Sequence, residues 1–217
     1  MKKTARYVVT VLGTAKLYDA TYTGGASADT PIIDGTASEQ NWGAADIMTV
    51  GEHASLDQNA RGLIKFDLSS IPADAEVQAA TLTLYRNLDR STNARTMRAY
   101  RVLRNWVEAQ ATDIIYSTGN NWQTALAGGA LDAESTDIGS VDLPAGSNSG
   151  AISPVKVDLS LTPASVQEWI DGTLTNYGIK LRMDTETDDR WGFATKEHAT
   201  TSIRPSLTIT YKTRTPP

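Results

Sequence analysis

Ile64, Phe66 and Leu68 alternate with Leu63, Lys65 and Asp67, the period-two pattern of a strand with one buried face. Ser69, Ser70 and Pro72 end it. Proline has no amide to give to a ladder and the short hydroxyl residues bond their own backbone, so Ser70 to Asp74 is expected to turn. A second strand follows, with Val77, Ala80, Leu82 and Leu84 inward and Thr81, Thr83 and Tyr85 outward. Alternation breaks between Val77 and Ala80, which calls for a bulge near Gln78.

The same reading places a first strand at Lys16 to Thr23, later strands at Gly178 to Met183 and Trp191 to Thr195, and a last strand at Ser206 to Lys212. One helix is expected. Thr162 is its cap, Pro163 its first residue, and Val166, Trp169 and Ile170 share one face before Gly172, where the helix would plug one end of the fold. From Ala109 to Ser153 the pattern decays into Gly, Ala, Ser, Asn and Asp, a long irregular stretch of the kind that makes contacts. KFDLSSIP at Lys65 to Pro72 returns as KVDLSLTP at Lys156 to Pro163, an echo of similar strand ends rather than a tandem repeat. The expected organisation is an N-terminal strand or docking arm over 1–14, one module over 15–212 and a short tail over 213–217.

Several motifs resemble the DNRLRE domain family, which overlaps a family of carbohydrate-binding modules. They are Asn41-Trp42-Gly43, the Arg61 to Pro72 run, Ala80 to Tyr85, Arg101-Val102-Leu103 before Trp106, Val166-Gln167-Glu168-Trp169, Asn176-Tyr177-Gly178 and Arg204 to Tyr211. The resemblance implies a single-domain, all-β, jelly-roll-type antiparallel β-sandwich with one short helix. It also implies non-catalytic modules on secreted polysaccharide-acting proteins or cell surfaces, some binding acidic polysaccharide such as alginate. Glu197 and Arg204 look like the family's late acid and arginine, which implies a structural ion pair. Arg61 would tie strands together by hydrogen bonds.

Composition narrows the partners. The chain has 217 residues, enough for one sandwich or barrel, is 40% hydrophobic and contains no cysteine. No apolar run approaches the roughly 18 residues of a membrane helix, so no membrane insertion is expected. A net charge of −5 argues against nucleic acid, whose binding rests on Lys and Arg at phosphates. The local exception is the arginine-rich stretch Arg86, Arg90, Arg95, Arg98, Arg101 and Arg104, which either faces an acidic polymer or forms a solvated hairpin paired with nearby acids. Lys2, Lys3 and Arg6 suit a signal peptide, yet Tyr7 to Leu12 is too short and too polar for its apolar core, so no signal peptide is expected.

Catalytic signatures are missing. His53 and His198 have no metal-ligand spacing, there is no G-x-S-x-G elbow or phosphate loop, and no carboxylate pair stands out, so the chain reads as no enzyme. Asp184, Glu186, Asp188 and Asp189 form the densest acidic cluster and are candidate ligands of a structural calcium, with a solvated turn as the alternative; no other cofactor is expected. The cluster lacks the glycine and the final glutamate of an EF-hand. Among the aromatics, the resemblance implies core positions for Trp106 and Trp169, Trp191 beside a strand reads as core, and Trp42 and Tyr177 sit in the Asn-aromatic-Gly turns and pack on loops. Tyr116 and Trp122, in the loop-rich part, are the candidate contacts for a sugar or partner, together with Arg86, Arg90, Arg95 and Arg98.

Three functions compete on this reading. The favoured one is a structural or decoration protein of a bacteriophage virion, docked on capsid or tail subunits through Met1 to Thr14 and found on the virion surface, because a surface-type module shows no export signal, anchor, linker or catalytic neighbour. The alternative is an extracellular module that binds surface polysaccharide, and a polysaccharide-acting enzyme stands third. A homo-oligomer is compatible with either of the first two.

Overall fold

The computed structural model describes residues 17–53 and 58–213; the expected docking arm over Met1 to Thr14 lies outside them. Among the described residues the strands are β1 (Tyr18–Ile33), β2 (Ile47–His53), β3 (Gln58–Phe66), β4 (Glu76–Arg90), β5 (Arg95–Arg101), β6 (Ile115–Ser117), β7 (Asn120–Asn121), β8 (Gly139–Leu143), β9 (Gly150–Leu161), β10 (Ile179–Met183), β11 (Arg190–Ala194) and β12 (Ser206–Thr213). The one α-helix, α1, spans Pro163–Ile170. The described residues are all-β with a single short α-helix, as expected.

Its strands differ from a plain jelly-roll sandwich in how they close. Antiparallel pairing runs β3-β1-β12-β4-β9-β8-β5-β10 and back to β3, a closed barrel of eight strands. Strands β11 and β2 make a second bridge between β4 and β3. The reason is strand length. β1 has 16 residues and β4 has 15, long enough to change partner midway. Tyr18 to Gly25 pair with β12, and Ala26 and, after an extra residue at Ser27, Ala28 to Ile33 pair with β3. On β4, one edge serves β12 up to Thr83 and β11 from Arg86, while the other edge serves β9. Edges that would be open in a sandwich are thereby paired.

The inward residues of the first pattern form the main core. Ile64, Leu82, Leu84, Leu159, Trp191, Phe193, Leu207 and Ile209 are fully buried within it. The expected bulge is there: Thr210 pairs with Ala79 and Tyr211 with Val77, so Gln78 is the extra residue. Helix α1 starts at Pro163 and buries Val166, Trp169 and Ile170. Gln167 fastens it, donating from Nε2 to Ala75 O at 3.0 Å and accepting from Val77 N at 2.9 Å. Thr162 caps only through its extended backbone, because its side chain makes no capping hydrogen bond.

A second core lies on the other side of β3. Leu63 packs with Ile32, Val102, Trp106, Trp122 and Leu126, so the segment that follows β5 covers the face of β3 turned away from the main core. This segment holds the stretch Ala109 to Ser153, which is more ordered than its composition suggests: β6, β7, β8 and the start of β9 lie in it.

Buried Asp189 holds the turn from β4 to β5, beside Asp89, which takes Ser91. Asp189 Oδ1 accepts from Thr92 N at 2.6 Å and Asn93 N at 3.1 Å, and Oδ2 takes Asn93 Nδ2 at 2.9 Å and Arg95 at 2.8 Å. Burial by itself raises the carboxyl's pKa, but these donors more than reverse the effect and hold it below the ordinary value. A depressed folded-state pKa stabilises the fold above the unfolded value of about 3.9 and the contribution is lost as pH falls through the folded value. The Asp189→Asn variant is therefore expected to unfold at lower urea at pH 7 and to show a smaller further loss between pH 4 and 2.5 than the parent, read from urea midpoints across that range. For the core, Leu82→Ala is expected to cost about 3–5 kcal/mol in the same measurement, since a fully buried leucine leaves a cavity among packed neighbours.

Candidate functional site

The structure disperses most of the residues singled out from the sequence. Trp122 is only 4% exposed and lies in the second core, donating from Nε1 to Thr112 O at 2.9 Å; it offers no face to a ligand. Half-buried Tyr116 packs on it with ring centroids 5.4 Å apart, and Arg104 covers the Tyr116 ring at 5.7 Å. The arginines form no common face. Arg95 is committed to Asp189 and Thr187 O, Arg98 to Asp137, and Arg101 to Glu134 and Glu168. Half-buried Arg86 leaves Nε and Nη1 without hydrogen-bond partners, and Arg90 is exposed beside Gly150.

Nor do the four clustered acids converge. Glu186 holds Arg61 through two bonds of 2.9 and 2.8 Å, Asp184 accepts from Thr96 N and Thr185 N, and Asp188 N donates to Glu52. With Asp189 under the β4–β5 turn, the carboxylates of Asp184, Glu186 and Asp189 each serve a separate partner and Asp188 is tied through its backbone, so the segment is a turn laced to its surroundings. Among the described residues the three carboxylates that do meet are Asp29, Glu108 and Glu197. Glu197 thus faces other acids and Lys196, while Arg204 donates from Nε to His198 O at 2.8 Å, in place of the expected pair between them.

The concave feature with a chemistry suited to a ligand surrounds Trp42. Its position is set by Asn41, whose Nδ2 donates to Glu108 O at 2.7 Å and Ala111 O at 2.8 Å, and whose Oδ1 accepts from Gly43 N at 3.2 Å. Gly43 is required there because a Cβ would stand 2.4 Å from Glu108 O. Asn176 and Gly178 repeat the device: Asn176 Nδ2 donates to Phe66 O and its Oδ1 accepts from Gly178 N, both at 3.0 Å. The two Asn-aromatic-Gly turns are thus rigid brackets. The first directs a half-buried Trp, and the second directs Tyr177, whose carbonyl accepts from Trp106 Nε1 at 2.8 Å.

Trp42 borders a cleft of about 430 Å³. Pro31 and Ile33 of β1, Ile47 of β2 and Leu88 of β4 supply apolar surface, and Thr36, Gln40, Thr49 and Gln58 supply hydroxyls and amides. Gln58 Nε2 is oriented by a 2.7 Å bond to Thr36 Oγ1. Arg190 of β11 also lines the cleft; burial first, and then the charge of Arg90, lower its pKa, and no carboxylate among the described residues pairs with it. An indole beside apolar surface suits the CH face of a sugar ring, amides and hydroxyls suit its hydroxyl groups, and an unpaired guanidinium suits a carboxylate. The motif Asn41-Trp42-Gly43 was visible in the sequence as a turn, but Gln58 and Arg190 reach the cleft only through the pairing of β2 with β3 and β11.

A second groove, of about 310 Å³, holds Tyr100, Lys180 and Arg182. Here the aromatic face is already taken, since Lys180 Nζ and the Arg182 guanidinium lie 5.1 and 5.9 Å from the Tyr100 ring centre. Lys180 also donates to Ala127 O at 2.8 Å, and its pKa falls to about 8 through burial, with Arg61 and Arg182 adding to the effect. Ring stacking is not on offer in this groove.

No curated protein matches the chain. Residues 20–124, which contain every residue lining the Trp42 cleft except Arg190, match the model of carbohydrate-binding module family 96, and in this segment the chain is similar to the carbohydrate-binding modules of that family.

Proposed function

We propose that this protein is a non-catalytic, extracellular polysaccharide-binding module that holds sugar rings in the Trp42 cleft and favours chains bearing carboxylates. One observation carries the reading: the cleft that combines a half-buried indole with apolar surface, amides and an arginine that no carboxylate among the described residues pairs with lies almost wholly within the segment matched by a carbohydrate-binding family. Its lining also bears on catalysis. No Asp or Glu among the described residues lines the cleft, whereas glycoside hydrolysis in most enzyme families needs two carboxyl groups across the bond. A virion decoration role, favoured on packaging grounds from the sequence, has no support in the fold or in the family match.

Arg190 supplies the preference for acidic chains. It is half-buried and crowded by Arg90, so a uronate carboxylate would relieve like-charge repulsion as well as gain charged hydrogen bonds. Trp42 would act on any sugar, because its contribution is contact with the ring face.

Two variants separate these contributions in affinity electrophoresis through gels containing alginate or a neutral β-glucan. Trp42→Ala is expected to weaken retardation by alginate at least 10-fold in apparent Kd, about 1.4 kcal/mol, with an unchanged far-UV circular dichroism spectrum. Unchanged retardation would refute the assignment of the cleft. Arg190→Gln is expected to weaken retardation by alginate and to remove most of its salt dependence, leaving any weaker retardation by the neutral glucan as it was. Equal effects of Arg190→Gln on both polymers would contradict the proposed preference.

A further inference from the structure

Behind the Asn41–Gly43 turn, Glu108 meets two acids that are distant in sequence. Asp29 lies in β1, Glu108 in the segment after Trp106, and Glu197 just beyond β11, yet one carboxylate oxygen from each lies within 4.8 Å of the others. The hydrogen bonds around them account for only part of their capacity. Glu108 Oε1 accepts from Asp29 N at 2.7 Å, Asp29 Oδ2 accepts from Lys196 N at 2.8 Å, and Lys196 Nζ pairs with Glu108 Oε2 at 3.1 Å and with Glu197 Oε1. Asp29 Oδ1 and Glu197 Oε2 remain buried with no hydrogen-bond partner among the described residues, and Asp29 as a whole is 1% exposed.

Buried carboxylate oxygens without partners are costly, and these two belong to the same converging group. Charge points the same way. Fully ionised, the three carboxylates would exceed Lys196, the cation that pairs with them among the described residues, by two negative charges, which a divalent ion would cancel. A separation within 4.8 Å is about twice the 2.3–2.6 Å Ca–O distance, so one ion can touch all three groups. We propose that Asp29, Glu108 and Glu197 form a calcium site that joins β1, the segment after Trp106 and the segment after β11. The ion would hold Glu108 in place, and with it the carbonyl that anchors Asn41. This inference does not rest on the sugar-binding reading. The competing account is a proton shared between Asp29 and Glu197, which would satisfy both oxygens without any ion.

The test uses the full chain, stripped with EGTA and desalted, with thermal unfolding followed by circular dichroism in EGTA, calcium chloride or magnesium chloride. Calcium at about 100 times its Kd is expected to raise the midpoint by roughly 5–10 °C, with magnesium giving a smaller shift, and titration calorimetry is expected to give one site per chain. Asp29→Asn and Glu197→Gln are each expected to abolish the calcium response; if one variant does not fold, the other carries the comparison. A parent chain whose midpoint is the same in EGTA and calcium overturns the proposal, and an Asp29→Asn variant that is then more stable than the parent identifies the shared proton. A calcium response that survives in either folded variant also overturns it, because the ion would then bind elsewhere.

Discussion

Closure of the hydrogen-bonded ladder through β4 is the constraint on which the other features depend. Every residue of a strand carries a donor and an acceptor that burial obliges to pair, and β4 satisfies its two edges with three partners, β12, β11 and β9. The change from β12 to β11 along one edge brings β11 beside β2, and that arrangement sets Arg190 near Ile47, Thr49 and Gln58. The cleft around Trp42 is therefore a product of strand pairing. Had β4 kept one partner per edge, its lining residues would not meet.

Much of the scaffold could be read from local pattern. Ile64, Phe66, Leu82 and Leu84 alternate because they face a core, the break at Gln78 is a real bulge, and Pro163 with Val166, Trp169 and Ile170 marks the helix where it stands. Partner choice was not legible. Alternation says which face is buried but not which strand lies alongside, so a closed barrel and an open sandwich share the same signature. Strand β8 was hidden because its apolar face is only Val141 and Leu143, set among Gly139, Ser140 and Asp142, and Leu143 is its only buried residue. Leu63 pointed to the second core only in hindsight: placed opposite Ile64, it needs cover of its own, which Trp106 and Trp122 supply.

The site was harder to read for a related reason. Sequence density marks Asp184, Glu186, Asp188 and Asp189, yet the turn sends Glu186 to Arg61, Asp184 to Thr96 and Asp189 to Thr92, while Asp188 is held through its backbone N–H by Glu52. Asp29, Glu108 and Glu197 carry no such signal because their meeting depends on the fold. Trp122 illustrates the converse, since a loop-like sequence around it folds into ordered structure that buries its indole. Trp42 was visible in its Asn-Trp-Gly motif, and what changes its standing is the bracket formed by Asn41 and Gly43, which fixes the turn rigidly beside a cleft.

The central claim is that sugar is held at Trp42, and backbone and side-chain amide shifts in a ¹⁵N-labelled sample titrated with an alginate hexasaccharide test it most directly. The account predicts that the largest shifts fall on the Trp42 indole Nε1–H, the Gln40 and Gln58 side-chain amides and the backbone of Ile47 to Thr49. Shifts centred on Tyr116, or on Tyr100 and Lys180, with the Trp42 indole resonance unmoved at saturation, would contradict it.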